Sequence, residues 1–338
     1  MSLSLAALPE GGFIMRLFLA AFVIALGLLL HPAEADPSFW KNEFPLTDFE
    51  QTTVADWREI RDGGPGRDGI PALSDVRFLP VAKEIRLAPT EPVIVLELEG
   101  AEPRAYPLRY LTWHEIVNDK VAGVPVAVTF CPLCNSAPVF DRRVDGSVLT
   151  FGVSGKLRNS DMVMYDVETE TWWQQALGQG IVGAHTGAQL TQLVSWMEGW
   201  AGYAARNPQG LVMEEPDYGR AYGTNPYSGY DSRAEPYPFY TGEAPPHGVP
   251  ALARVVRVGD RAWPLPRLAE AGEIREAGVV LSWEAGQASA LDARRIARGR
   301  DVGNIRVRDK AGQDLPHDVM FAFAFHAFLP DGSWMLGE

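Results

Sequence analysis

A chain of 338 residues, 22% charged and 46% hydrophobic, has the balance of a folded globular protein and excludes intrinsic disorder. Its formal net charge of −13, with no basic run long enough to track a phosphate backbone, excludes nucleic acid as an expected partner. Its 2 cysteines are too few for a disulfide framework to replace an apolar core.

The N-terminus has the pattern of a targeting segment. Arg16 is followed by unbroken apolar sequence from Leu17 to Leu30, and Ala33-Glu34-Ala35 offers a small-residue cleavage site. The run is short for a bilayer crossing, so a cleaved signal peptide over residues 1–35 is expected rather than an anchor. Met15 is an alternative start, which would make residues 1–14 an extension. The expectation is an exported protein, periplasmic or extracellular, with no integral membrane span after cleavage. Its small-molecule or protein partner is not legible.

Residues 36–75 are rich in Pro and Gly and predict an irregular N-terminal arm. Alternation then predicts a strand from Pro92 to Glu99, with Ala105 to Leu108 as its hairpin partner. Helical spacing over Tyr110 to Asn118 places His114 and Asn118 on one face. Val124 to Phe130 predicts a buried strand that ends at Cys131-Pro-Leu-Cys134. Strands Pro138 to Arg143 and Val148 to Val153 flank the turn Asp145-Gly146. Gly152 to Asp161 predicts a polar turn, and Asp166 to Thr171 a hairpin loop before Trp172-Trp173. Residues 206–250, dense in Pro, Gly and Tyr, predict an ordered bridging loop.

Arg104-Ala-Tyr-Pro-Leu108 returns as Arg261-Ala-Trp-Pro-Leu265, followed by a helix-like stretch and the strand-like Gly278 to Trp283. The match predicts two related units, 76–205 and 251–338, with Glu284 and Gln287 of the second replacing Cys131 and Cys134 of the first. The expected fold class is therefore α+β, β-rich, with two units from an internal duplication packed as one body.

Cysteines at C-x-x-C spacing suit a reversible disulfide, a soft metal ion or a structural disulfide. Closing so short a loop contributes only about 2 kcal/mol, against about 3 for fifteen residues, so a staple gains little. Turn-then-strand sequence after Cys134 opposes the thioredoxin arrangement, in which the first cysteine opens a helix. Zinc would need two further ligands. Copper(I) needs fewer, and Cys131 and Cys134 with His114, Met162 or Met164 form a candidate set. Cys131, Cys134 and His114 are also the candidate catalytic residues, a thiol beside an imidazole base. Asn159, Ser160 and Asp161 are candidates for binding a cofactor, although such residues more often satisfy a turn's backbone.

Trp113-His-Glu-Ile-Val-Asn-Asp119, Val128-Thr-Phe-Cys-Pro-Leu-Cys134, Gly152-Val-Ser-Gly155, Asn159-Ser-Asp161, Met164-Tyr-Asp166 and Trp173-Gln-Gln175 together resemble the domain-of-unknown-function 3179 family. Asn225-Pro-Tyr227 and Phe323-Ala-Phe-His-Ala-Phe328 extend the resemblance over most of residues 76–330. That family carries no assigned reaction. Its second cysteine position is often threonine, which implies that Cys131 matters more than Cys134. His326 departs from the family's aromatic C-terminal motif and receives no role.

The leading expectation is a thiol site for redox chemistry or copper binding. One alternative is a glycan- or peptide-binding module whose platform is Trp172, Trp173, Trp196, Trp200 and the tyrosine-rich loop. Another is an enzyme with Cys131 as nucleophile and His114 as base.

Overall fold

The computed structural model describes residues 37–337, so the expected signal peptide and start site lie outside the described residues. Among the described residues the regular structure is mostly β, with four α-helices of seven residues each: Leu108–His114, Trp200–Arg206, Leu265–Ala271 and Ala322–Phe328. No helix among them is long and apolar enough to cross a membrane.

Five sheets of three to five strands form a five-bladed β-propeller arrangement. Sheet I orders Ser195–Gly199, Pro92–Leu96, Arg104–Pro107, Leu211–Met213 and Phe78–Pro80. Sheet II orders Gln192–Leu193, Val139–Asp141, Val124–Thr129, Ile116–Val121 and Leu73–Ser74. Sheet III orders Ile60–Asp62, Phe151–Arg158, Asp161–Asp166, Trp172–Gln174 and Gln179–Val182. Sheet IV contains Asp318–Phe321, Arg254–Val258, Arg261–Pro264 and Ser333–Trp334, and sheet V contains Glu273–Glu276, Val279–Glu284 and Asn304–Asp309.

This architecture replaces the expected α+β pair of duplicated units. One hydrophobic core runs from Leu73 to Phe325 and joins both halves of the chain. Sheet III has no counterpart after residue 250. The Arg-Ala-aromatic-Pro-Leu match marks a strand-to-helix corner used in both sheet I and sheet IV. There an antiparallel hairpin passes into a short helix, and its second strand pairs in parallel with a later one. Glu284 is exposed at its strand end, whereas Gln287 is buried.

The helix expected over Tyr110 to Asn118 stops at His114. Glu115 takes φ 59°, ending the helix, and β-branched Ile116 and Val117 then pair with Thr129 and Val128. His114 and Asn118 consequently sit on different elements. Asn118 instead exchanges two hydrogen bonds with the Phe151 backbone, at 2.8 and 2.9 Å.

Two-residue turns with positive φ at both positions close several hairpins, including Ala122-Gly123, Asp145-Gly146 and Asn159-Ser160. The arm packs Phe44, Phe49, Val54 and Ile60 against Tyr165, Trp172 and Ile181 of sheet III. Lys156 bonds Glu43 at 2.7 Å and Asp62 at 2.6 Å, and Arg67 bonds Glu170 at 2.7 Å. The arm passes close over sheet III at Gly155, where φ is +75° and an added Cβ would overlap the Pro65 carbonyl. Gly155→Ala is therefore expected to lower stability by at least about 2 kcal/mol and to release the arm. Thermal unfolding and trypsin cleavage at Arg67 measure both effects, and unchanged protection would show that the contact yields.

Candidate functional site

Sheet II delivers the first cysteine. The Val124–Thr129 strand continues through Phe130, whose N–H bonds the Glu115 carbonyl at 2.8 Å, and Cys131 closes its loop with N–H to Ser136 O at 2.9 Å. Asn135, at φ 56°, supplies the turn before the chain re-enters the sheet at Val139. This hairpin loop is held from outside. Phe321 N–H donates to Cys134 O at 2.8 Å, and Asn135 Nδ2 donates to Val319 O at 2.7 Å. The Ser136 hydroxyl and the Ala137 N–H donate to Asp318 at 2.5 and 2.9 Å. Tyr230 donates its hydroxyl to Leu133 O at 2.9 Å. An edge of sheet IV and the aromatic loop therefore fix where both sulfurs point.

Sheet III delivers the third group. The tight Asn159-Ser160 turn starts the Asp161–Asp166 strand, and Asp161 Oδ1 accepts from Cys134 Sγ at 2.7 Å. Its other oxygen accepts from Ala176 N–H at 3.0 Å and from Gln174 Nε2. One ligand atom from each of Cys131, Cys134 and Asp161 lies within 4.8 Å of the others, and all three residues are buried. Both cysteines are free thiols.

Electrostatically the group is crowded with acids. Burial pushes the Cys131 thiol up, and burial with the neighbouring thiol and Asp161 pushes Cys134 well up. Burial raises Asp161 to about 6 against the pull of its hydrogen bonds. Glu115, next to the first cysteine's strand, is raised to about 8 by burial and by the Asp161 charge. Its carboxyl makes no hydrogen bond or ion pair among the described residues and lines a cavity. Glu115 was missed as a site residue because a helix over Tyr110 to Asn118 turns it away from the face shared by His114 and Asn118. The available signal was an acid set directly before the apolar pair Ile116-Val117.

The other candidates lie elsewhere. Both nitrogens of His114 are engaged, Nδ1 with Pro71 O at 2.8 Å and Nε2 with the Tyr222 hydroxyl at 2.6 Å. It is not in the thiol–carboxylate group. Met164 is wholly buried in the main core and pairs with Val153 and Trp173. Ser160 is buried beneath the turn, whereas Asn159 lines an open cleft of about 560 Å³ with Arg58, Arg61, Tyr240 and His326. Trp172 and Trp173 are 0% exposed, Trp196 5% and Trp200 8%, so these rings offer no platform. Tyr230 and Tyr237 stack at 4.4 Å, and Tyr222, Tyr227 and Tyr240 pack partly buried against the main core, whereas Tyr218 is exposed.

A carboxyl whose folded-state pKa is raised holds its proton more tightly when folded. Its stabilisation is fully present below the unfolded value and is lost as pH rises through the folded one. For Glu115 that window runs from 4.5 to about 8. Glu115→Gln is expected to match wild type near pH 5 and to gain on the order of a few kcal/mol by pH 8 in chelator. Differential scanning calorimetry at both values measures this, and a pH-independent difference would remove the assignment.

No curated protein and no solved structure matches the chain. The family described as "Protein of unknown function (DUF3179)" matches residues 67–332, through the strands that carry Cys131, Cys134, Asp161 and Glu115, and the chain belongs to that family.

Proposed function

We propose that this is an exported metal-binding protein in which Cys131, Cys134 and Asp161 hold a single cation. One observation carries the reading: two thiols and a carboxylate oxygen within 4.8 Å of one another in a buried site. The strongest charges acting on the two thiols and on Glu115 come from within this group, with no lysine or arginine among them. A metal ion supplies the missing positive charge and takes thiolate ligands without an activating base. Replacing the expected imidazole or thioether by a carboxylate shifts the donor set from copper(I) toward a borderline divalent ion such as zinc(II), held by three protein ligands with its fourth position open. Gln174 and the Ala176 N–H, bonded to Asp161, orient that ligand.

A dithiol–disulfide couple is the second reading, favoured by the contact between the two thiols. An attacking thiol needs appreciable thiolate, and burial works against it here. The cysteine-nucleophile reading loses its base, because both His114 nitrogens are bonded elsewhere.

Purified mature protein is expected to contain about one equivalent of metal, or to take up one when stripped and reloaded with zinc(II) or copper(I) under reductant. Cys131→Ser and Asp161→Asn should lose it, and Gln174→Ala should weaken affinity by about tenfold or more. Elemental analysis and competition with a chromogenic chelator measure these effects. Protein that takes up neither ion at pH 8 while keeping two titratable thiols would refute the site. Thiols that vanish reversibly with oxidant, without metal uptake, would favour the couple.

A further inference from the structure

Beside the thiol–carboxylate group is a cavity of about 160 Å³, roofed by the arm at Pro65 and by the aromatic loop. Its lining is mostly apolar and includes Leu133, Leu157, Met162, Tyr227, Tyr237 and Phe239. Two charged residues reach it. Lys156 is already bonded to Glu43 at 2.7 Å and Asp62 at 2.6 Å. Glu115, only 7% exposed, has no hydrogen-bond or ion-pair partner among the described residues. A buried carboxylate in that condition is costly unless something enters to pair with it.

We infer that this cavity binds a small primary amine as its ammonium ion, with Glu115 as counter-ion and the three aromatic rings around its apolar body. Charge sets the headgroup: an anion would be repelled by Glu115, whereas an ammonium gains an ion pair and the ring faces. Size sets the body. A protein cavity of about 150 Å³ admits a molecule the size of benzene, so the ligand has roughly six to eight non-hydrogen atoms. A second metal ion fits poorly, since Glu115 is the one carboxylate in the lining and the other charged group, Lys156, is a cation. The inference stands on the cavity and its unpaired acid and does not require the metal reading.

Benzylamine, benzyl alcohol and benzoate, titrated calorimetrically at pH 7.5 into chelator-treated and zinc-loaded protein, test it. Benzylamine is expected to bind with submillimolar affinity, at least about tenfold tighter than the alcohol, with benzoate not binding. Glu115→Gln should abolish the preference for amine over alcohol. Leu157→Trp, which fills the cavity and leaves Glu115 in place, should abolish binding of both, with thermal unfolding confirming that each variant folds. No binding of benzylamine at millimolar concentration, equal binding of amine and alcohol, or a preference that survives Glu115→Gln would each overturn the inference. Metal content is read separately, so failure of the metal site leaves the amine result intact.

Discussion

Four acidic groups share one region of the interior: the Cys131 and Cys134 thiols and the Asp161 and Glu115 carboxyls, all buried. In a low-dielectric interior each ionisation makes the next more costly. The protein therefore holds the two thiols and Glu115 near neutrality when nothing else is bound, while hydrogen bonds to Asp161 offset part of the cost of ionising it. A packed core would not gather acids in this way for stability, since apolar residues of similar volume do that better. The cluster is a cost that the rest of the fold sustains.

Sustaining it takes three sheets. Sheet II brings Cys131 on a strand end and returns through Cys134, while sheet III brings Asp161 at the start of a hairpin strand. Sheet IV clamps the intervening loop through Asp318, Val319 and Phe321. Because each anchor is a backbone or carboxylate hydrogen bond within regular structure, the sulfurs have little freedom to seek other partners. The arm and the aromatic loop add a second layer. Lys156 and Arg67 tie the arm over the same hairpin that presents Asp161, and Tyr230 reaches the cysteine loop directly.

Legibility in the sequence followed the range of the interaction concerned. The strand ending at Cys131 and the tight turn Asp145-Gly146 were readable, because β-branched runs and turn residues act locally. The helix over Tyr110 to Asn118 was half right. Its apolar spacing suits either a helix or a strand beyond His114, and pairing of Ile116 and Val117 with Val128 and Thr129 decides for the strand. The duplicated plan failed for a related reason: a shared corner in sheets I and IV says nothing of sheet III, which is assembled from the arm and residues 151–182. His114 looked like the natural partner of a thiol. Its ring is claimed by Pro71 and Tyr222, two contacts far apart in sequence that no spacing rule reveals. Asp161 was marked as polar turn chemistry, and only the packing of sheet III against sheet II makes it a neighbour of the thiols.

Charge balance connects the thiol site with the cavity beside it. A divalent ion held by two thiolates and one carboxylate still leaves one net negative charge, so loading the metal would not turn the surroundings of Glu115 positive. The cavity thus faces negative potential whether the neighbouring site is filled or empty, and it rejects anions in both states. In the empty protein a single negative charge already sits on Asp161, where it acts on Glu115. Loading spreads that charge over the two sulfurs, the carboxylate and the ion without changing its total, so Glu115 keeps much the same tendency to ionise. The two sites, neighbours through Glu115 and Asp161, are then close to independent, because an ammonium ion meets the same net charge in either state.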